Sequence, residues 1–399
     1  MSTPGTSPYS PIPLISNATF HRRITLSTPH GPQILTYALI GSNDAGPTRS
    51  RTLLFLPGMF ASRYLGIPLH ILAERAGVRI LVVDRFSMGG SGDVPLSRRI
   101  STWCDVIPRL LEHLGIESVG LVAHSAGTIY TLNMLVDEGC RRFIQGLVVF
   151  LGMAMFNPTL FLPFASYTHP VTKSFVAAPW VDPTHSHVTS MQLAQYIPQP
   201  AFKLWHHIPR FFVTQATPVL ASSGAALRKI SAPSSGLISS SRSQEEADRT
   251  FLEANYRRVE REYGVPVKDQ EELAQLAVNY MFAENTVGAN SEALQCLRKG
   301  EGREWGAVDD YAGYIKGLVE RERERGRQEG RQDERGLRVR VYHAATDAMV
   351  GRKGQEYFEG CWRCAGEGVD FDARRVEGTD HDTVSQAAEV WEEIFALFR

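Results

Sequence analysis

Four short apolar runs constrain this chain more than any other feature. RTLLFLP (51–57), RILVVD (79–84), SVGLVA (118–123) and GLVVFL (146–151) are short runs dominated by Leu, Val, Ile and Phe. A strand with one wet face alternates apolar and polar residues. Runs without alternation belong to strands covered on both sides, as in a parallel sheet between two helical layers. The intervening segments carry the matching helical signal. Leu69 to Ala76 is helix-like, and Trp103, Val106, Ile107, Leu110, Leu111 and Leu114 recur at helical spacing over 102–114. Upstream, RRITLS and QILTYALI predict a hairpin around residues 28–32. The fold class is therefore α/β: a mostly parallel sheet flanked by helices.

After Met153 the pattern breaks. Residues 157–209 are rich in Pro, Phe, Trp and His, and 216–241 form a Ser/Ala/Gly-rich stretch read as a flexible loop. Helical segments follow at about 243–262, 269–283 and 307–325. The last ends in RERERGRQEGRQDERG (321–336), a mixed charge run read as a solvated helix end or linker. Strand character returns in LRVRVYHA (337–344) and VDFDARRV (369–376), with helices over 357–365 and 384–398. The organisation expected is a disordered tail over 1–19, a core made of 20–153 and 337–399, and an insertion over 154–336. The tail lacks a basic segment followed by an apolar core, so it is not read as a secretory signal. The most apolar stretch, 143–164, is interrupted by Gly146, Gly152, Pro158 and Pro163, which argues against a membrane span. A net charge of −1 gives no reason to expect a nucleic acid or an anionic surface as partner. Five scattered cysteines do not make a disulfide framework, and Cys361 and Cys364 in CWRC are read as free thiols in a helix turn. A cytoplasmic location is expected.

Chemistry collects where strands end. GLVAHSAGTIYTL (120–132) passes from a buried run into a helix through HSAG, with Ser125 at the bend. HAATDAMVG (343–351) puts Asp347 just past one strand, and EGTDHDTV (377–384) puts His381 just past the last. Open α/β sheets hold their sites at strand C-termini. A serine hydroxyl is a poor nucleophile near neutral pH and needs a base to take its proton. Histidine suits that work, and a carboxylate can orient the histidine.

The order Ser, Asp, His, each on the loop after a strand, resembles the α/β-hydrolase superfamily. LLFLPGMF stands where that family has an apolar strand ending in His-Gly-x, and VVDRFSMGGSG looks like its D-x-x-G-x-G-x-S segment. The resemblance covers about 20–153 and 337–399. It implies an eight-stranded sheet, with residues 154–336 as a mostly helical cap. It also implies that Ser125 is the nucleophile, His381 the general base and Asp347 its orienting acid. The oxyanion would take the backbone N–H groups of Met59 and Ala126. Phe60, His124 and Met349 would line the substrate pocket. No metal or organic cofactor is implied. Two departures stand out: Pro57 replaces the family's His before Gly58, and Ala123 replaces the first Gly of G-x-S-x-G. Ser rather than Asp at 125 argues against the family's dehalogenases and epoxide hydrolases.

Other readings stay open. Ser125 could cap a helix, and Asp347 could cap a turn. Asp380 and Asp382 read as turn formers, although Asp380 could also tune the base, His343 reads as a buried structural histidine, and His185 and His187 as surface loop. Phe156, Phe161, Phe164, Tyr167, Trp180 and Trp205 could line a pocket or pack within the insertion. The expected activity is hydrolysis of a moderately hydrophobic small-molecule ester, thioester or lactone through a Ser125 acyl-enzyme. C–C bond cleavage of a β-diketone-like metabolite would use the same residues, and a non-catalytic binding protein is the reading from another class.

Overall fold

The computed structural model describes residues 9–42, 51–153, 198–207, 238–299, 305–328, 337–347, 349–366 and 368–398. An eight-stranded sheet organises them, in the order β1-β2-β4-β3-β5-β6-β7-β8. The strands are β1 (Arg22–Thr28), β2 (Gly31–Gly41), β3 (Thr52–Leu56), β4 (Arg79–Val83), β5 (Val119–Ser125), β6 (Ile144–Met153), β7 (Leu337–Thr346) and β8 (Val369–Asp380). β2 runs antiparallel to both its neighbours, and every other pairing is parallel. The β1–β2 hairpin turns at Gly31, where φ is 99°, a value glycine tolerates without a Cβ clash.

The unbroken apolar runs resolve into two faces of one sheet. Leu53, Phe55, Ile80, Val82 and Val122 point to one core, against Ile71 and Leu72 of the His70–Ala76 helix and Trp391, Ile394 and Phe395 of the Ala388–Phe398 helix. Leu54, Leu56, Leu81, Val83, Leu121 and Ala123 point to the other. There they meet Trp103, Ile107 and Leu110 of the Arg99–His113 helix and Phe358 and Trp362 of the Gly351–Cys364 helix. Each strand divides its side chains by period two, and both halves are buried because both faces are covered. Pro108 lies inside the Arg99–His113 helix and cannot donate to the Cys104 carbonyl. The Cys140 thiol donates there instead, at 3.5 Å.

The structure corrects the tail expected over 1–19. Pro11–Ile15 is a short helix with Pro at its first turn, and Ala18–Phe20 is a 3-10 turn capped by Asn17, which accepts from the Thr19 N–H at 3.0 Å. Leu14 and Ile15 are buried, and the segment packs against the Val267–Ala283 helix. The proline-rich composition masked the pair Leu14-Ile15, whose burial supplies what ordering requires. Residues 1–8 lie outside the described set. So do 216–237 of the expected loop, whereas 238–241 already belong to the Ile238–Tyr263 helix.

Two of the described helices from 154–336 rest on the sheet's own layers. Ile238–Tyr263 lies along β8 and the Ala388–Phe398 helix, and Tyr311–Gln328 lies along the Gly351–Cys364 helix with Ile315 and Leu318 in the core. The charge run begins inside that last helix, and one of its members is not solvated. Glu322 is buried and binds Arg141 through both oxygens at 2.6 and 3.0 Å. A helix that the periodicity does not announce spans Gly288–Cys296. No helix among the described residues is long and apolar enough to cross a membrane.

Candidate active site

β5 ends in a forced turn. Ser125 has φ of 49°, the left-handed region that a non-glycine residue enters only when its surroundings over-determine it. The Gly127–Val136 helix starts two residues later, and its first glycine is obligatory. A Cβ on Gly127 would sit 2.1 Å from the Leu56 carbonyl oxygen of the neighbouring strand. Ala123 lies two residues before the bend, on the flat part of β5, where its methyl is fully buried in the core. The crowding therefore falls on the helix side of the serine, and the alanine is accommodated.

The three strand-end residues converge. Ser125 Oγ lies 2.9 Å from His381 Nε2 and donates its proton there when the ring is neutral, and His381 Nδ1–H donates to Asp347 Oδ2 at 2.9 Å. All are buried. Asp347 Oδ1 accepts the Met349 and Val350 N–H groups at 2.9 and 2.8 Å, so its carboxylate is oriented from both ends. Burial alone would disfavour its charge, but His381 and these amides hold the carboxyl below its ordinary value. Burial would likewise lower the pKa of His381. The charge of Asp347 and its hydrogen bond outweigh this and, with Asp382 and Asp380 adding, push His381 up to about 9.

The flanking residues take distinct parts. Asp380 is a turn former: its Oδ1 accepts the Thr383 N–H and Oγ–H at 2.8 Å each. His343 is buried beside Glu359, with Nε2 3.1 Å from Oε1. His124 is buried between β3 and the His381 loop. Its Nε2–H donates to the His381 carbonyl at 2.8 Å, which fixes the tautomer and leaves Nδ1 as a bare acceptor. Burial, with repulsion from His381, drives its pKa down to about 4.

Of the expected pocket residues, Met349 meets Asp347 through its backbone N–H and buries its side chain in the core. Phe60 is buried with φ of 66° in the turn after β3. Trp205 packs against Phe202, ring centroids 5.4 Å apart. Phe156, Phe161, Phe164, Tyr167, Trp180, His185 and His187 lie outside the described residues.

The turn after β3 carries Met59. Gly58 abuts the serine: a Cβ there would stand 3.3 Å from Ser125 Cβ and 2.8 Å from His124 Nδ1. Two residues that the motif reading passed over hold this turn. Arg85, one residue past Asp84 in VVDRF, is buried and donates to the Pro57 carbonyl and, at 2.7 Å, to the Gly58 carbonyl. Glu292, on the Gly288–Cys296 helix, binds the same guanidinium at 2.5 and 2.9 Å. The available signal was an arginine within an otherwise apolar strand end, which must find a partner. Ser87, with φ of 59°, occupies the place of the first glycine in the D-x-x-G-x-G-x-S pattern.

The alpha/beta hydrolase family model matches residues 53–393. Among solved structures, a carboxylesterase of the thaumarchaeon Nitrososphaera gargenis superposes with a TM-score of 0.50 at 12% identity, over 94% of this chain and 97% of that one. An epoxide hydrolase superposes with a TM-score of 0.50 at 15% identity, over 95% of this chain and 99% of that one. At these identities the likeness is one of fold.

Proposed function

The chain belongs to the alpha/beta hydrolase family, and from that premise we propose that it is a serine hydrolase of small-molecule carboxylic esters, thioesters or lactones. One observation carries the reading: Asp347, His381 and a strained Ser125 form a continuous relay with 2.9 Å at each link. A serine bearing a base in place and an acid behind the base is equipped for attack on a carbonyl carbon. The epoxide hydrolase likeness carries no carboxylate chemistry over to this chain, because the residue at the elbow is a serine.

In this reading Ser125 Oγ attacks the carbonyl carbon while His381 Nε2 takes its proton. Asp347 stabilises the imidazolium that results. His381 then hands the proton to the leaving oxygen or sulfur, and the acyl group stays on Ser125. Water enters, gives a proton to Nε2, attacks the ester and releases the acid, restoring the serine hydroxyl. The negative charge of each tetrahedral intermediate would rest on the N–H groups of Met59 and Ala126. Residues 154–336, inserted between β6 and β7, would cover the site and choose the acyl group.

A fluorophosphonate probe tests the assignment. Intact protein should be labelled on Ser125 and hydrolyse members of a nitrophenyl ester panel, and Ser125→Ala should do neither while keeping its circular dichroism. A folded protein that takes no label, or a Ser125→Ala variant as active as the parent, would refute it.

A further inference from the structure

We propose that Arg85 and Glu292 are positioning residues whose ion pair aims the Met59 N–H at the oxyanion; the inference rests on the hydrolase reading above. Arg85 is 1% exposed and Glu292 0%. A guanidinium taken out of water needs a counter-charge and acceptors for its N–H groups, and this one has both. Nε and Nη2 fork onto the two Glu292 oxygens, Nη1 reaches the Pro57 carbonyl and Nη2 the Gly58 carbonyl. The Tyr130 ring lies 5.5 Å from the guanidinium carbon. Such a planar fork, held at several points, has one orientation.

The consequence follows from peptide geometry. In a planar trans peptide the C=O and N–H point in opposite directions. No cis bond occurs here, so fixing the Gly58 carbonyl on Arg85 turns the Met59 N–H away from Arg85. Gly58 itself is pressed against Ser125 and His124. Among the described residues no backbone acceptor meets the Met59 N–H. Hydrogen bonding at a carbonyl also polarises the amide, making that N–H a stronger donor. Pro57 has no N–H and no polar side chain with which to order this turn, so the order comes from the carbonyl side. Glu292 makes the buried cation tolerable, and it comes from 154–336. The insertion thus sets the geometry of a turn in the core sheet.

The test compares Glu292→Gln, Arg85→Lys and the double variant Arg85→Met/Glu292→Met with the parent. The double variant removes both charges together and so leaves no orphaned ion to unfold the protein. It should melt within a few degrees of the parent, yet show kcat and the fluorophosphonate labelling rate reduced about 100-fold, as for loss of one oxyanion donor. KM should stay within about threefold and the pH profile of His381 should not move, since the donor acts on the developing charge. Arg85→Lys, which keeps the charge without the fork, should fall between. A double variant that melts normally and keeps parental kcat overturns the proposal. Failure of the hydrolase reading registers separately, as parental protein that takes no label on Ser125. The clamp is then judged by a crystal structure of the double variant, in which an unmoved Gly58 carbonyl overturns it.

Discussion

His124 should make this protein acid-sensitive, and the size of the effect follows from its surroundings. Its ring is buried, its Nε2–H is committed to the His381 carbonyl, and its pKa in the fold is about 4 against 6.5 for a free side chain. The folded pKa is depressed, so the unfolded chain takes up a proton below 6.5 that the folded chain refuses. Stability is therefore lost as pH falls from 6.5 towards 4. At roughly 1.4 kcal/mol per unit, the loss attributable to this one ring between pH 7 and pH 5 is about 2 kcal/mol. His124→Gln keeps an N–H donor at the same reach but cannot titrate. Urea unfolding of parent and variant at both pH values isolates the term, with fluorescence and circular dichroism required to coincide. The parent should lose about 2 kcal/mol more than the variant across that interval. Equal losses in the two proteins would show that His124 does not titrate as its burial demands.

Other consequences can be checked in parallel. His381, with its pKa raised to about 9, is the reverse case: its pairing stabilises the fold below 6.5, and that contribution fades as pH rises through about 9. Because the base must be neutral, kcat/KM should climb over the same interval; Asp347→Asn, by removing the largest influence that opposes burial, should move the climb to lower pH and cut the rate by about 10⁴. Gly127→Ala forces a methyl 2.1 Å from the Leu56 carbonyl oxygen and should cost about 1–3 kcal/mol in urea unfolding, with loss of labelling at Ser125. Ala123→Gly, on the uncrowded side of the bend, should keep its labelling and lose only about 1 kcal/mol. Glu322→Gln leaves Arg141 buried without its counter-charge and should cost at least about 3 kcal/mol, read as a lower melting temperature.

The parts of this molecule that repeat a simple physical rule were open to reading. β3, β4, β5 and β6 each carry a short apolar run because both faces of the sheet are covered, and runs this short between helical segments suit buried strands. Ser125, Asp347 and His381 were legible because each follows a strand, and strand ends gather at one edge of a parallel sheet. The Gly288–Cys296 helix was not, since Gly288, Asn290 and Ser291 weaken it locally and its stability comes from partners distant in sequence. One such partner is the Ser87 carbonyl, which accepts the Gly288 N–H at 2.9 Å. Glu292 and Glu322 were hidden for a related reason. A carboxylate on a helix reads as solvated until an arginine from another part of the chain is brought against it. The Pro11–Ile15 helix was lost to composition, which averages over the two residues that matter.

Ser125 and His381 are 256 residues apart, and the histidine follows β8, the outermost and latest strand of the sheet. During synthesis the elbow and the Pro57 turn can be complete while β8 is still unmade. Until β8 docks on β7, the hydroxyl at the bend has no base and reacts no faster than any other serine. In the proposed mechanism a nascent or misassembled chain would therefore be chemically silent. If Ser125 is the nucleophile proposed above, its covalent labelling would count molecules in which the final strand has taken its place, and the hydroxyl would report completed folding.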